Sequence, residues 1–222
     1  MGLSLGVVFD CDGTLLDSMH AWHGLEDDMA GLMGVTLTEE DTDTLATLTI
    51  DECGAYYHEK FGFGASGPDV VRIIDEHMMD FYANKSQAKP GALALVEGLS
   101  ALGARMAVAS STPHAHLEAG LAHCGIAPYL DAILSVDDLG TSKRAPLIYE
   151  RARAVMGTPL AATWGVEDAV YALNTLVKAG FRTLAIYDND LSGTWEQLAG
   201  AADHAIRSFE EIDASTLVRW TI

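Results

Sequence analysis

The sequence predicts an α/β protein built on a parallel β-sheet, with a block of helices inserted after the first strand. Two observations lead to this prediction. Short apolar runs alternate with helical stretches over most of the chain, which is the order in which a parallel sheet with crossover helices is built. Residues 19–89 interrupt the alternation, because they are rich in Met, Asp, Glu, His and Ala and contain no convincing strand.

The first strand is expected at residues 3–9, a continuous apolar run typical of a strand that is buried on both faces. Amphipathic helices of the insertion are predicted at 20–33, 38–48, 51–61 and 68–84. After the chain returns at Lys89-Pro90-Gly91, apolar runs predict strands at 105–109, 132–136, 161–166, 183–187 and, more weakly, 202–206. Helices are predicted between them at 92–102, 114–123, 146–156 and 169–179, and several close near a Gly, as helix C-termini commonly do.

Composition and charge narrow the class of protein. The chain has 222 residues, 49% of them hydrophobic, which is ample for a core and argues against disorder, collagen-like repeats and coiled coil. Its 13 Lys and Arg stand against 32 Asp and Glu, a formal charge of −19 that disfavours nucleic-acid and membrane-surface partners. An anionic substrate would therefore need a local basic residue or a bound metal.

Cysteine usage and apolar runs indicate a cellular location. Cys11, Cys53 and Cys124 form no CxxC pair and leave one cysteine over, so neither a disulfide framework nor a zinc site is expected. No apolar run approaches the ~18 residues of a membrane span, and no basic stretch precedes the first apolar segment. We expect a cytoplasmic protein without membrane contact.

The residues with the clearest chemical signal follow the first strand, in the segment Asp10-Cys11-Asp12-Gly13-Thr14-Leu15-Leu16-Asp17-Ser18. Two carboxylates two residues apart lie on the same side of an extended chain, at the sheet edge where ligands of open α/β folds bind. Gly13 permits a turn that exposes amide donors. A turn with solvated acids is the alternative, whereas a calcium loop is excluded because a strand precedes it and Ala21 stands where such a loop has Glu.

The segment 9–18 resembles the first motif of the haloacid dehalogenase-like (HAD) superfamily, and three later segments match that family's remaining motifs in order. The second is the apolar run that ends in Ser110-Ser111, and the fourth is Trp164-Gly165-Val166-Glu167-Asp168. The third contains Lys143 before a helix, but Arg144 and Leu147 replace the usual Pro and Asp. Ala169 and Ala172 likewise stand where Ser and Gly are common in the family.

This resemblance implies a fold and a domain division. It implies a Rossmann-like, doubly wound parallel sheet with an inserted, all-helical C1 cap. Residues 1–17 and 88–222 would form the HAD core and 18–87 the cap, with hinges at 16–18 and 88–91. A cap of this kind excludes water during phosphoryl transfer and opens for product release.

The resemblance also implies a reaction, which is Mg²⁺-dependent hydrolysis of phosphate monoesters through an aspartyl-phosphate. Asp10 would be the nucleophile and Asp12 the general acid and base. Mg²⁺ would be held by Asp10, Asp168 and the backbone carbonyl of Asp12. Lys143 would neutralise charge on the transferring group. Glu167 could be a direct or water-mediated ligand, but we expect it to lie behind the ligands.

Phosphate binding is assigned to three residues, Gly13, Ser110 and Ser111, the last through its amide. The serines at the strand end and Lys143 each have a structural alternative. Ser111 or Thr112 could cap the helix that follows, and a lone Lys in a loop is usually exposed to solvent. His20 and His23, one helical turn apart at the start of the insertion, are more readily explained as a solvated helix start than as substrate contacts.

Substrate class and competing functions remain open at this point. Related sugar-phosphate mutases usually carry Arg in the segment that corresponds to residues 45–53, but this segment contains no basic residue. Its composition therefore argues against a mutase of the beta-phosphoglucomutase type and favours a small phosphorylated metabolite, a monophosphate with a hydroxylated or mildly apolar remainder. A 2-haloacid dehalogenase would lack the second carboxylate and the metal. Phosphonate cleavage would need a lysine early in the insertion, and Lys60 and Lys85 come later. A non-catalytic phosphoacceptor or regulatory protein would not need Asp12. We expect the chain to be monomeric or weakly dimeric.

Overall fold

The computed structural model describes residues 5–45, 48–189 and 191–222. The chain divides into two compact units. We call Met1–Ser18 together with Ser86–Ile222 the core unit, and Met19–Lys85 the helical unit.

The strands and helices follow in chain order. The strands are β1 (Gly6–Phe9), β2 (Arg105–Ser110), β3 (Ala132–Ser135), β4 (Thr163–Glu167), β5 (Arg182–Ile186) and β6 (His204–Ile206). The helices are α1 (Met19–His23), α2 (Leu25–Met33), α3 (Glu39–Leu45), α4 (Ile50–Phe61), α5 (Gly67–Asn84), α6 (Ala92–Ala101), α7 (His114–His123), α8 (Val136–Leu139), α9 (Leu147–Met156), α10 (Val170–Lys178), α11 (Trp195–Ala201) and α12 (Ala214–Thr221).

The six strands of the core unit form one parallel sheet in the order β3-β2-β1-β4-β5-β6. The chain moves outward from β1 to β3, returns to the other side of β1 at β4, and moves outward again to β6. This confirms the predicted Rossmann-like, doubly wound sheet. The strand order reverses between β1 and β4, and ligands of such sheets bind in the crevice at the carboxyl ends of these strands.

Burial of the central strands accounts for their composition. All four residues of β1 and all five of β4 are buried, so both strands need apolar or small residues on their two faces. On one face, Val8 belongs to a core cluster with Tyr149 of α9 and Leu176 of α10. Phe9 points the other way and meets Phe209 edge-on, with ring centroids 6.5 Å apart.

The element boundaries differ from the prediction in several places. The predicted helix 20–33 is two helices, and the break falls at Gly24, a residue with a low propensity for helix interiors. Helices α8, α11 and α12 were not predicted. The side chain of Asp213 caps α12 by accepting from the Thr216 N–H, a signal that was available in the sequence. Some predicted positions lie outside the described residues. They are residues 3 and 4 of the first predicted strand, and residues 46 and 47, which belong both to the second predicted insertion helix and to the 45–53 segment.

The helical unit holds its helices together by close packing and by one polar network. A Cβ at Gly54 of α4 would lie 2.7 Å from the Gly67 carbonyl of α5, so the two backbones approach closely. The carboxylate of Asp41 is buried and accepts hydrogen bonds from Thr38, Tyr56 and Lys60, which tie α3 to α4.

Among the helices that the structure describes, none is long and apolar enough to cross a lipid bilayer. The three cysteines are free thiols.

Candidate active site

The site begins with acids at the carboxyl ends of the two central strands. Phe9 lies opposite Val166 in the sheet register, so Asp10 and Glu167, the next residues, emerge side by side. The Asp10 N–H donates to the Val166 carbonyl at 2.9 Å and fixes this alignment. Asp10, Glu167 and Asp168 are all buried, and one carboxylate oxygen of each lies within 4.8 Å of the others.

Lys143 lies among these acids. Its Nζ donates to Asp10 Oδ1 and, at 2.9 Å, to Glu167 Oε1, and the residue is only 4% exposed. Burial lowers the pKa of this ammonium, but the charges and hydrogen bonds of Asp10 and Glu167 outweigh burial and raise the pKa above its usual value. Lys143 therefore carries a positive charge inside the site.

Two residues near Lys143 in the sequence differ from the family's usual pattern. Arg144, which replaces the usual Pro, places its guanidinium 4.8 Å from the ring centre of Tyr171. Leu147, which replaces the usual Asp, is 48% exposed. Lys143 is buried beside Asp10 although Arg144 and Leu147 stand in place of the usual Pro and Asp.

One ammonium does not balance three carboxylates. Burial, reinforced by the charge of Asp10, raises the pKa of Glu167 to about 8 and that of Asp168 to about 7. Burial also raises the pKa of Asp10, although Lys143 opposes this. Ionising all three acids together is therefore unfavourable in this buried site, and a bound cation would offset that cost.

A divalent metal fits this cluster. The donor set consists of carboxylate oxygens, which hard cations such as Mg²⁺ prefer. Glu167 Oε2 is buried and, within the described part of the chain, has no hydrogen-bond partner. A buried polar atom without a partner is costly, so the structure contains an oxygen that a cation would satisfy. From the sequence, Glu167 is expected to lie behind the ligands. In the structure, one of its carboxylate oxygens lies within 4.8 Å of those of Asp10 and Asp168, so Glu167 belongs to the same cluster.

Asp12 is surrounded by hydroxyl groups. Its Oδ1 accepts from Ser18 Oγ at 2.6 Å, and its Oδ2 accepts from Thr112 Oγ1 at 2.6 Å and from Ser110 Oγ at 3.4 Å. The structure thus places Ser110 beside Asp12, the second carboxylate of the first motif. The Asp12 carboxylate is thus oriented by donors from its own loop and from the end of β2 and the residues after it.

Gly13 shapes the loop after β1. Its φ of 78° is a conformation that favours glycine, and its N–H donates to the Leu16 carbonyl at 2.9 Å. The N–H groups of Leu15 and Leu16 turn back onto the Cys11 carbonyl, both at 2.8 Å. The contribution of Gly13 in this structure is the turn, since its own amide is used within the loop.

The segment after β2 does not cap the next helix. The N-cap of α7 is Pro113, without a side-chain cap, so neither Ser111 nor Thr112 has that role. Ser111 is exposed, and the N–H of Thr112 donates to Ser110 Oγ at 3.1 Å. The hydroxyl of Thr112 is directed to Asp12.

Four residues that form hydrogen bonds to Asp10, Asp12 or Glu167 were not predicted as site residues from the sequence. Ser18 and Thr112 bind Asp12, Thr14 Oγ1 lies 3.5 Å from Asp10 Oδ2, and the hydroxyl of Tyr149 donates to Glu167 Oε1 at 2.7 Å. Thr14 and Ser18 lie within the first motif, and their hydroxyls were the available signal. Thr112 and Tyr149 had none, because their partners are distant in sequence.

His20 and His23, the histidines singled out in the insertion, belong to α1 of the helical unit. The imidazole of His20 packs edge-on against Phe81, with ring centroids 5.5 Å apart.

The chain is similar to one known protein family and to several known proteins. The model of one family, described as haloacid dehalogenase-like hydrolase, matches residues 5–180. Protein SUPPRESSOR OF QUENCHING 1, chloroplastic, from Arabidopsis thaliana is 31% identical over 187 residues, which cover 81% of this chain but 17% of that protein. The chain therefore spans about a sixth of that plant protein's length.

Two other similarities cover more than four fifths of both chains. Hexitol phosphatase B of Escherichia coli (strain K12) is 25% identical over 184 residues, covering 82% of this chain and 83% of that protein. A crystal structure from Thermotoga maritima, assigned as a beta-phosphoglucomutase, superimposes with a TM-score of 0.80 at 19% identity, covering 97% of this chain and 99% of that one. The second similarity concerns the fold.

Proposed function

This chain belongs to the haloacid dehalogenase-like hydrolases and is a phosphatase of that family. We propose that it hydrolyses phosphate monoesters of small metabolites through an aspartyl-phosphate intermediate, with Mg²⁺ as cofactor. The observation that carries this proposal is the juxtaposition of Asp10, Lys143, Glu167 and Asp168 at the switch point of the sheet. A carboxylate nucleophile, a buried ammonium and a cation-binding acid set are the groups that phosphoryl transfer from an anionic ester requires.

In the first step, a carboxylate oxygen of Asp10 attacks phosphorus. The Asp10 O–P bond forms while the ester P–O bond breaks, and the leaving oxygen takes a proton from Asp12. Lys143, already in contact with Asp10, compensates the charge of the transferring group. In the second step, Asp12 removes a proton from water, the water oxygen bonds to phosphorus, and the Asp10 O–P bond breaks to release inorganic phosphate.

The residues that would hold Mg²⁺ are Asp10, Glu167 and Asp168 through their carboxylates, together with the backbone carbonyl of Asp12 that the family resemblance implies. When bound, the ion reduces repulsion between the substrate's anionic oxygens and the attacking carboxylate. Ser110, Ser111 and the Gly13 turn are the proposed surroundings of the phosphoryl oxygens.

The substrate is proposed to be a monophosphate, not a substrate with two phosphates. Positions 45–53 carry no basic side chain to bind a second phosphate. The similarity to hexitol phosphatase B, whose name describes a sugar-alcohol phosphatase, supports hexitol and sugar monophosphates as the first compounds to test.

The test is release of inorganic phosphate from p-nitrophenyl phosphate and from a panel of sugar, hexitol and two-carbon acid phosphates, with Mg²⁺ and with EDTA. We expect phosphate release that requires Mg²⁺. Isomerisation of a sugar phosphate without phosphate release would establish a mutase instead. Absence of metal-dependent release from every compound would favour a non-catalytic phosphoacceptor.

A further inference from the structure

Glu167 is bound unevenly on its two oxygens. Oε1 accepts two hydrogen bonds, from Lys143 Nζ at 2.9 Å and from the Tyr149 hydroxyl at 2.7 Å. Oε2 is buried and, as far as the described residues extend, accepts none. One oxygen is therefore anchored by protein donors, and the other is left for a ligand.

The two anchors of Oε1 differ in their other contacts. Lys143 is shared with Asp10 and, in the proposed reaction, also responds to the transferring phosphoryl group. Among the acids that the structure describes, the Tyr149 hydroxyl donates to Glu167 alone, and its phenol ring is held in place by the core. It is 1% exposed, lies in α9 within the apolar cluster that contains Val8, and meets Phe181 edge-on with ring centroids 6.4 Å apart.

We propose that Tyr149 is a positioning residue for the metal site, which anchors Oε1 of Glu167 so that Oε2 remains directed to the cation. This inference rests on the proposed function. It assigns a task to a buried hydroxyl that the reaction does not otherwise use. Hydrogen bonds to the unbound atom of a metal ligand orient that ligand, and their loss commonly weakens metal binding by about 10–100-fold.

The primary variant is Tyr149→Phe, which removes the hydroxyl and keeps the buried ring. Binding of Mg²⁺ to the full chain is measured by isothermal titration calorimetry, without substrate. We expect the Kd for Mg²⁺ to rise roughly 10-fold. Tyr129→Phe is the matched control, because Tyr129 also donates to a glutamate, Glu97 at 3.0 Å, but on the exposed side of the core unit. It should leave the Kd unchanged.

A second measurement separates positioning from general damage to the core. In a Glu167→Gln background, where the metal-directed carboxylate is already lost, Tyr149→Phe should add no further loss of Mg²⁺ affinity. The rate of Tyr149→Phe should also recover toward the wild-type kcat at saturating Mg²⁺. Tyr149→Met, which likewise lacks the hydroxyl, replaces Tyr149→Phe in both measurements if the latter does not fold.

The outcomes distinguish this inference from the proposed function. If the wild-type chain does not bind Mg²⁺, the proposed metal site is wrong, and the role of Tyr149 is overturned with it. If the wild type binds Mg²⁺ and the folded Tyr149 variant binds it equally well, only the inference is overturned. The same holds if Tyr149→Phe weakens binding by the same factor with and without Glu167.

Discussion

Asp10 illustrates how strongly a single side chain depends on its neighbours in this fold. Its carboxylate is buried, with Lys143 on one oxygen and the Thr14 hydroxyl near the other. In the proposed reaction, removal of Asp10 from solvent beside a fixed ammonium favours its attack on phosphorus, since a carboxylate in water is a weak nucleophile toward an anionic ester.

Asp10→Asn should lower phosphatase turnover by roughly 10⁴-fold or more, because an amide cannot form the covalent intermediate. The measurement is phosphate release from p-nitrophenyl phosphate, with circular dichroism to verify the fold. Asp137→Asn, at an exposed position in α8, is the control and should retain activity. A folded Asp10→Asn variant with a near-normal rate would remove Asp10 from the mechanism.

Asp12→Asn should separate the two chemical steps. The variant keeps the nucleophile but cannot activate water, so hydrolysis of the intermediate should slow by about 10²–10⁴-fold. Acid-quenched protein, analysed by intact-mass spectrometry after incubation with a reactive phosphate ester, should show added phosphate. Full-rate turnover by this variant would mean that the acid and base lie elsewhere.

At the scale of elements, the central strand β4 is adapted to the helix that covers it. Gly165 has no room for a side chain, since a Cβ there would lie 2.4 Å from Leu176 Cδ1 of α10. The same strand ends in Glu167, so its distance from α10 also determines where that acid lies.

Gly165→Ala should therefore destabilise the protein by about 1–3 kcal/mol through overpacking. Gly200→Ala in α11 is the matched control, because no atom lies within 4 Å of the added methyl, and it should be neutral or stabilising by up to about 1 kcal/mol. Urea denaturation of both variants measures the difference. Equal stability of the two would contradict the close packing of β4 on α10.

The contact between α3 and α4 predicts an acid-sensitive element. Hydrogen bonds from Lys60, Thr38 and Tyr56 hold the pKa of Asp41 well below its usual range. A lowered carboxyl pKa contributes stability that is complete above the ordinary Asp pKa of about 4 and is lost as the pH falls below it. The helical unit should therefore weaken as the pH falls from about 5 toward about 2.

Asp41→Asn tests this prediction. The variant should have a lower urea midpoint than the wild type at pH 7, and the gap between them should narrow at about pH 3. Asp43→Asn, on the exposed side of the same helix, should behave like the wild type at both pH values. A constant gap for Asp41→Asn across the pH range would argue against the network as its cause.

At the scale of the whole molecule, the formal charge of −19 opposes folding through self-repulsion. Salt screens this repulsion, so raising NaCl from about 20 mM to about 300 mM in EDTA should raise the Tm by a few degrees. Thermal unfolding followed by circular dichroism measures this. A Tm that is unchanged or falls would mean that the exposed charges are balanced by local ion pairs.

Much of this protein follows from local patterns in the chain. Short apolar runs and the helical stretches between them predicted the parallel sheet. The Asp10 and Asp12 pair after the first strand, with the later motifs, indicated the family, and the resemblance to that family implied the doubly wound strand order. The strand signal can be read from a short stretch of sequence, because a strand that is buried on both faces requires a continuous run of apolar residues. Boundaries were less predictable, as at Gly24, because a helix ends where packing and propensity compete.

Only the tertiary structure decided which groups meet at the site. Glu167 joins Asp10 because the β1–β4 register aligns Phe9 with Val166, and Thr112 reaches Asp12 across a separation of 100 residues. Sequence patterns report burial and local conformation, whereas hydrogen-bond partners depend on the distances that strand register and helix packing impose. The amino-acid sequence thus determined the fold and the acids, and folding decided which donors each acid meets and which oxygen of Glu167 is left for a ligand.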